Sequence, residues 1–314
     1  MINRKRYLQL IFSGIFTVGI FIFLFHRLPL AEIFKIIKST NFNIVCLTLF
    51  ISAVSNILIS AYRWKLILKE SGILISLKES LLIKMGSNIF VDIFPVKTGE
   101  FFRMLYLRRL QKIPYSKSIL SIGSEYLLNI TALLCSIFLG GIIYLGSHAD
   151  FSLLKSFSGC NPVVFGALNI FGRLKNRLNN KYYRLFRISL KNAGKLMKKK
   201  NILFYTFLFW IAELFNVYLL SIAIGISVPL YGIFLFMPIV IILGSTSITF
   251  AGLGIRETAI IFLFLKFASA EALFSLGLLY SFVESLFPMF ISLGLTGSFL
   301  NKILWSDKRA KLEQ

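Results

Sequence analysis

Residues 231–267 read YGIFLFMPIVIILGSTSITFAGLGIRETAIIFLFLKF. Two apolar runs, 231–249 and 258–267, flank a polar, glycine-bearing break. The break begins at Gly244-Ser245-Thr246-Ser247 and ends in Gly252-Leu253-Gly254-Ile255-Arg256-Glu257. A helix needs about 20 apolar residues to cross a bilayer, and the second run is far shorter. The stretch therefore reads as a helical hairpin that enters the membrane and turns inside it. Irregular backbone at that depth is tolerated only where it is buried in protein or lines a wet cavity.

An earlier stretch repeats the pattern. Residues 80–94 are apolar but carry Lys84, Asn88 and Asp92. Pro95-Val96-Lys97-Thr98-Gly99-Glu100 and Phe101-Phe102-Arg103 follow. Basic clusters flank the piece on both sides: Arg63-Trp64-Lys65, read as a basic and aromatic interface anchor ending the span at residue 62, before it, and Arg108, Arg109, Lys112 and Lys117 after it. Both flanks then lie on the same side, and the interval is too short for two spans. Two arrangements fit: a re-entrant hairpin over about 80–108 with the Pro-to-Gly turn at its tip, or an amphipathic pair lying on the membrane surface.

Working outward, the 314-residue chain is 57% hydrophobic with mean hydropathy +0.79. Soluble domains sit near 45–50% apolar. Long apolar runs occupy 7–25, 44–62, 119–145, 157–171, 202–225 and 272–300. The first is longer than a secretory signal core and has no clean cleavage site after it, so it reads as a retained span. The expected fold is all-α: a polytopic helix bundle of about six full spans plus two re-entrant hairpins. The first half (1–172) holds one hairpin, a basic linker occupies 173–200, and the second half (201–314) holds the other hairpin at about 231–268. In this topology the hairpins enter from opposite faces, as in an inverted repeat with broken helices meeting near the midplane.

Net charge is +22, from 35 Lys and Arg against 13 Asp and Glu. The linker alone carries 11 basic residues and no acidic one. With both termini cytoplasmic, all basic residues but Arg27, Lys35, Lys38, Lys155, Lys266 and Arg256 fall on the cytoplasmic side, as the positive-inside rule requires of a plasma (inner) membrane protein. Anionic lipid headgroups are the partner this charge implies at that face. No zinc-finger, basic-zipper or helix-turn-helix pattern points to nucleic acid. Cys46, Cys135 and Cys160 lack metal spacing and read as free, buried thiols. His26 and His148 read as interfacial polar residues. No metal or cofactor is expected.

The two breaks each join glycine to a carboxylate and a guanidinium. One reads Pro95-x3-Gly99-Glu100-x2-Arg103, the other Gly252-x-Gly254-x-Arg256-Glu257. A charge at the bilayer centre costs about 2.5–3.5 kcal/mol on insertion scales, so Glu100, Arg103, Arg256 and Glu257 must pair or face water. Glu100 and Arg103 share a helix face at i, i+3, whereas adjacent Arg256 and Glu257 diverge. Arginine suits bidentate recognition of phosphate. Two roles fit these groups, separately or together: ion pairs that hold the hairpins, and a grip on an anionic headgroup.

These residues also carry a resemblance. Arg63-Trp64 after the second span, Asn88 through Pro95 to Gly99-Glu100 and Arg103, and Gly252-Leu253-Gly254-Ile255-Arg256-Glu257 resemble, in order, the flippase-like membrane region of lysylphosphatidylglycerol synthases. That resemblance implies translocation of a lipid, such as an aminoacylated phosphatidylglycerol or an isoprenoid-type lipid. It implies no aminoacyl transfer, because the soluble synthase domain is not in the sequence. The substrate-binding residues expected on this reading are Arg63, Asn88, Pro95, Gly99, Glu100, Arg103, Glu125, Gly252, Gly254, Arg256 and Glu257. Two other functions fit the residues: a membrane-embedded transferase or hydrolase acting on a lipid-linked substrate through Glu100, Glu125 or Glu257, and an envelope assembly factor. The absence of a nucleophile, metal or cofactor motif argues against an enzyme. Membrane lipids are the expected partners, with a homo-oligomer or an envelope enzyme as further ones.

Overall fold

The computed structural model describes residues 4–94, 99–147, 188–189, 191–245 and 249–312. Among these residues the fold is entirely helical, with no strand. Helix α1 is Arg4–Arg27 and α2 is Leu30–Ser39. The long α3, Phe42–Glu70, is followed by α4, Leu77–Ile93, and α5, Glu100–Leu110. Then come α6, Tyr115–Ser147, α7, Lys200–Ala223, α8, Leu230–Gly244, and α9, Ile255–Phe264. The last helix, α10, runs as Ala270–Ser281, Phe282–Leu286 and Phe287–Leu312 without interruption.

Local sequence explains several helix starts. The Asn41 side chain accepts from the backbone N–H groups of Asn43 and Ile44 at the start of α3. Ser76 accepts from Glu79 N–H (3.1 Å) at the start of α4, and Ser269 from Ala272 N–H (3.4 Å) at the start of α10. Each hydroxyl or amide oxygen satisfies a donor that the first turn cannot pair internally.

Among the described residues, four helical segments are long and apolar enough to cross a membrane: Phe42–Glu70, Tyr115–Gly146, Lys200–Ala223 and Ala270–Leu304. Thr17–Arg27 and Leu230–Gly244 are shorter apolar helices. The segment expected at 157–171 and most of the 173–200 linker lie outside the described residues. Side chains such as Phe50, Phe138, Phe204 and Phe262 are more than half exposed on the outer surface, an apolar exterior suited to lipid.

Helices α4 and α5 pair antiparallel. Phe90 stacks on Phe102 with centroids 4.1 Å apart, and Tyr106 O–H donates to Glu79 Oε1 at 3.3 Å. Helices α8 and α9 do the same: the Phe236 and Phe264 rings meet at 5.5 Å, and Gly244 lies against the Arg256 side chain. Each pair has its own apolar core. Trp64, Leu68, Ile83, Leu107 and Phe299 surround α4–α5. Leu214, Val217, Met237, Ile260, Phe264 and Leu273 surround α8–α9.

The long helices α3 and α10 thread both cores, and each switches to π-helical geometry between them, at Val54–Ile59 and Phe282–Leu286. A π turn accommodates one extra residue and shifts the faces on either side of it. The two π turns lie side by side, with Ser52 O–H donating to the Val283 carbonyl at 2.8 Å.

Three expectations need correction. Arg63-Trp64-Lys65 is not an interfacial anchor ending a span at residue 62. Helix α3 continues to Glu70, with Arg63 only 2% exposed and Trp64 fully buried, because α6 supplies polar partners for the guanidinium. Cys46 and Cys135 are free but exposed rather than buried, since a thiol is apolar enough for the outer face of a membrane helix. The short α2, buried through Ile33 against Leu24 and Phe274, has no counterpart in the expected topology.

Candidate functional site

A cavity of about 310 Å³ lies between the two hairpins and is lined by residues of both. Its first wall is built on α3, α4, α5 and α6. Glu125, in the middle of α6, is its centre. Glu125 Oε1 accepts from Lys84 Nζ at 2.6 Å and Arg63 Nη2 at 3.2 Å, and Oε2 lies 3.4 Å from Arg103 Nη1. Arg103 Nη1 also lies 3.0 Å from Glu100 Oε2, the i, i+3 pair expected on one helix face, and its Nε donates to Ser87 Oγ. Tyr126 O–H donates to Glu100 Oε1 at 2.9 Å.

Arg63 is held further by Asn129 Oδ1 at 2.8 Å, which also accepts from Trp210 Nε1, and it lies over the Phe209 ring. Asn88 donates to Asp92 Oδ2 at 3.4 Å, and both line the cavity. Three cations, Arg63, Lys84 and Arg103, thus share the wall with three carboxylates, Glu100, Glu125 and Asp92. Such a network survives burial because nearly every charge meets an opposite one.

The second wall, on α7, α9 and α10 with Asn56 of α3, is different. Arg256, in the first turn of α9, donates through Nη1 to Ser285 Oγ and lies over the Tyr280 ring. No carboxylate lies within ion-pair distance of it among the described residues, and its Nε is buried without a partner. Gly244 makes room for this arginine: a Cβ there would sit 2.6 Å from Arg256 Cγ. Facing it are two carboxyl groups, Glu213 of α7 and Glu284 in the π turn of α10.

The expected site residues separate into three groups. Arg63, Asn88, Glu100, Arg103, Glu125 and Arg256 meet at the cavity. Gly99, Gly252, Gly254 and Glu257 do not line it; they shape the hairpin turns. Gly99 packs so closely on the Phe90 carbonyl that a Cβ would overlap it. Gly252 and Gly254 adopt φ of 76° and 86°, the left-handed region that glycine enters without strain. Glu257 is fully buried; its carboxylate caps its own helix by accepting from Gly254 N–H and ties that helix to α10 by accepting from Ser281 O–H, both at 2.6 Å. Arg256 and Glu257 diverge, as adjacent helical residues must. Pro95 lies outside the described residues.

Lys84, Tyr126, Asn129, Glu213, Tyr280 and Glu284 also line the cavity but were not among the expected site residues. Glu213 and Glu284 each stand alone in a long apolar run, which is the signal that marks them. Among the described residues no group of three His, Cys, Asp or Glu side chains gathers to hold a metal ion.

An all-helical fold, an apolar exterior and a charged interior cavity define a polytopic membrane protein. The chain belongs to the family described as the lysylphosphatidylglycerol synthase TM region, whose model matches residues 8–292. No curated protein matches the chain.

Proposed function

We propose that this protein is a lipid transporter that moves the anionic headgroup of a phospholipid, an aminoacylated phospholipid or an isoprenoid-linked lipid through the cavity between its hairpins. The carrying observation is that both hairpins line one cavity, in which Arg256 has spare hydrogen-bonding capacity. A phosphate is the natural occupant, because guanidinium groups match its geometry. The cavity is of headgroup size, so the acyl chains stay outside against the apolar exterior.

Helix lengths support the re-entrant reading of both hairpins. Helices α4 and α5, of 17 and 11 residues, extend about 25 and 17 Å, and α8 and α9, of 15 and 10 residues, about 22 and 15 Å. All four fall short of the roughly 30 Å hydrocarbon core. With four long helices and further spans they form an inverted pair that alternates access to the cavity. In this reading the protein sits in the plasma membrane with both termini cytoplasmic, contacts anionic headgroups through its basic residues, and performs no chemistry on its lipid.

The test is transbilayer movement of labelled phosphatidylglycerol, its aminoacylated form or an isoprenyl phosphate in proteoliposomes. The reading expects movement that Arg256→Ala reduces at least tenfold with folding intact; protein-independent rates for all three lipids would sink it. In a background lacking Cys46, Cys135 and Cys160, Lys97→Cys and Leu253→Cys are expected to label from opposite sides.

A further inference from the structure

We propose that the Glu213–Glu284 carboxyl pair is a proton site coupled to anion binding at Arg256, so that the headgroup and a proton travel together. This rests on the transport reading above and concerns how transport is driven.

The two carboxyl groups are unequally held. Glu284 accepts from Asn216 Nδ2 at 2.5 Å and Asn56 Nδ2 at 2.8 Å, donors drawn from α7 and α3. Two amide donors suit a carboxylate. Glu213 has one donor among the described residues, Tyr280 O–H, at a long 3.5 Å, and its Oε2 is buried without a partner. Both side chains are nine-tenths buried (7% and 9% exposed) and line the cavity beside Arg256. Two buried carboxyl groups beside a single cation keep a proton between them, because a second buried negative charge would have no counter-charge. The donors placed around Glu284 leave Glu213 as the proton's carrier.

Charge balance gives the coupling. The groups facing the pair are Arg256 of α9, Tyr280 and Ser285 of α10, Asn216 of α7, and Ser52 and Asn56 of α3. Across the cavity lie Arg63, Lys84, Asp92, Glu100, Arg103 and Glu125, three cations against three carboxylates. Arg256 is the one cation on the near wall among the described residues. With a single proton on the pair, that wall is neutral. An anion seated on Arg256 makes it negative by one charge, and the remaining carboxylate then takes a proton from hydronium in the bulk, one O–H bond breaking there as one forms on the carboxyl group and a water molecule being left. When the anion leaves, the proton is released. Proton and headgroup so move in the same direction, from the acidic side to the alkaline side.

The test uses the full chain in detergent with dihexanoylphosphatidylglycerol, whose phosphodiester stays ionised throughout the range used. Calorimetric titration in two buffers of different ionisation enthalpy counts protons per lipid bound. The wild type is expected to take up as much as one proton per lipid, with affinity rising by as much as tenfold for each unit of acidification. The double variant Glu213→Gln/Glu284→Gln, which leaves no carboxyl group on that wall, is expected to bind lipid with affinity independent of pH. If it does not fold, the wild-type proton count decides. Lipid binding without proton uptake overturns the proposal and leaves the transport reading standing. A pH slope that persists in the double variant also overturns it, by placing the proton elsewhere, for example on Lys84. Absence of any lipid binding overturns the transport reading itself and the proposal with it.

Discussion

The two walls of the cavity both hold charge and hold it differently. On the α4–α5 side, Glu125 alone ties together three cations, and Arg103 is shared between two carboxylates. On the α8–α9 side, Arg256 rests on a hydroxyl and a ring, and Glu213 has an oxygen with no partner. The first wall sets its cations against carboxylates, whereas the second leaves Arg256 without a carboxylate at ion-pair distance among the described residues. On the proposed reading stability resides in the first wall and ligand response in the second, although both breaks carry the same residue types.

The comparison can be broken by removing the centre of the first wall. Glu125→Ala leaves Arg63 and Lys84 buried without their carboxylate, at a cost of about 3–5 kcal/mol. The expected outcome is loss of folded protein on size-exclusion chromatography in detergent. A well-folded Glu125→Ala protein that merely loses transport would erase the distinction between the walls.

Glu257→Ala tests whether the second hairpin has a structural charge of its own. It removes the acceptor for Gly254 N–H and Ser281 O–H, worth about 2 kcal/mol together. A fall of several degrees in thermal midpoint is expected, with the pH slope of lipid binding unchanged.

Arg256→Ala is expected to cost less stability than Glu125→Ala, since no carboxylate lies at ion-pair distance from it among the described residues and the Glu213–Glu284 pair can take up a second proton in its absence. Its signature is lost lipid movement at near-normal melting temperature, the reverse of Glu125→Ala. The smallest effect belongs to Lys199→Ala. Its pair with Glu70 (2.9 Å) lies at the surface, with the lysine side chain about half exposed, and contributes no more than about 0.5 kcal/mol. It sets the baseline for an ion pair in water.

Much of the fold was legible in the order of residues. A polar, glycine-bearing interruption in an apolar run reads as a turn between helices, and both interruptions fall between antiparallel helices, α4–α5 and α8–α9. The Glu100–Arg103 pair was readable because its partners are one helical turn apart. The Arg63–Glu125 pair was not: it joins helices 62 positions apart, and nothing local to Arg63-Trp64-Lys65 distinguishes a buried arginine from an interfacial one. Glu257 was misleading for the converse reason. Its partners, Gly254 and Ser281, make it a helix cap and packing group, while its neighbour Arg256 turns into the cavity. Glu213 and Glu284 were visible as isolated acids, but their meeting depends on how α7 crosses α10.

The π turns in α3 and α10 also bear on ancestry. Each is equivalent to an α-helix with one inserted residue, and removing that residue would turn the helix beyond it by about 100° and shorten it by about 1.5 Å. Homologues without the turns would therefore align with single-residue gaps within 54–59 and 282–286, in the middle of transmembrane helices. Such a gap would look like an alignment error and would instead record an insertion that brought Asn56 and Glu284 round to the cavity.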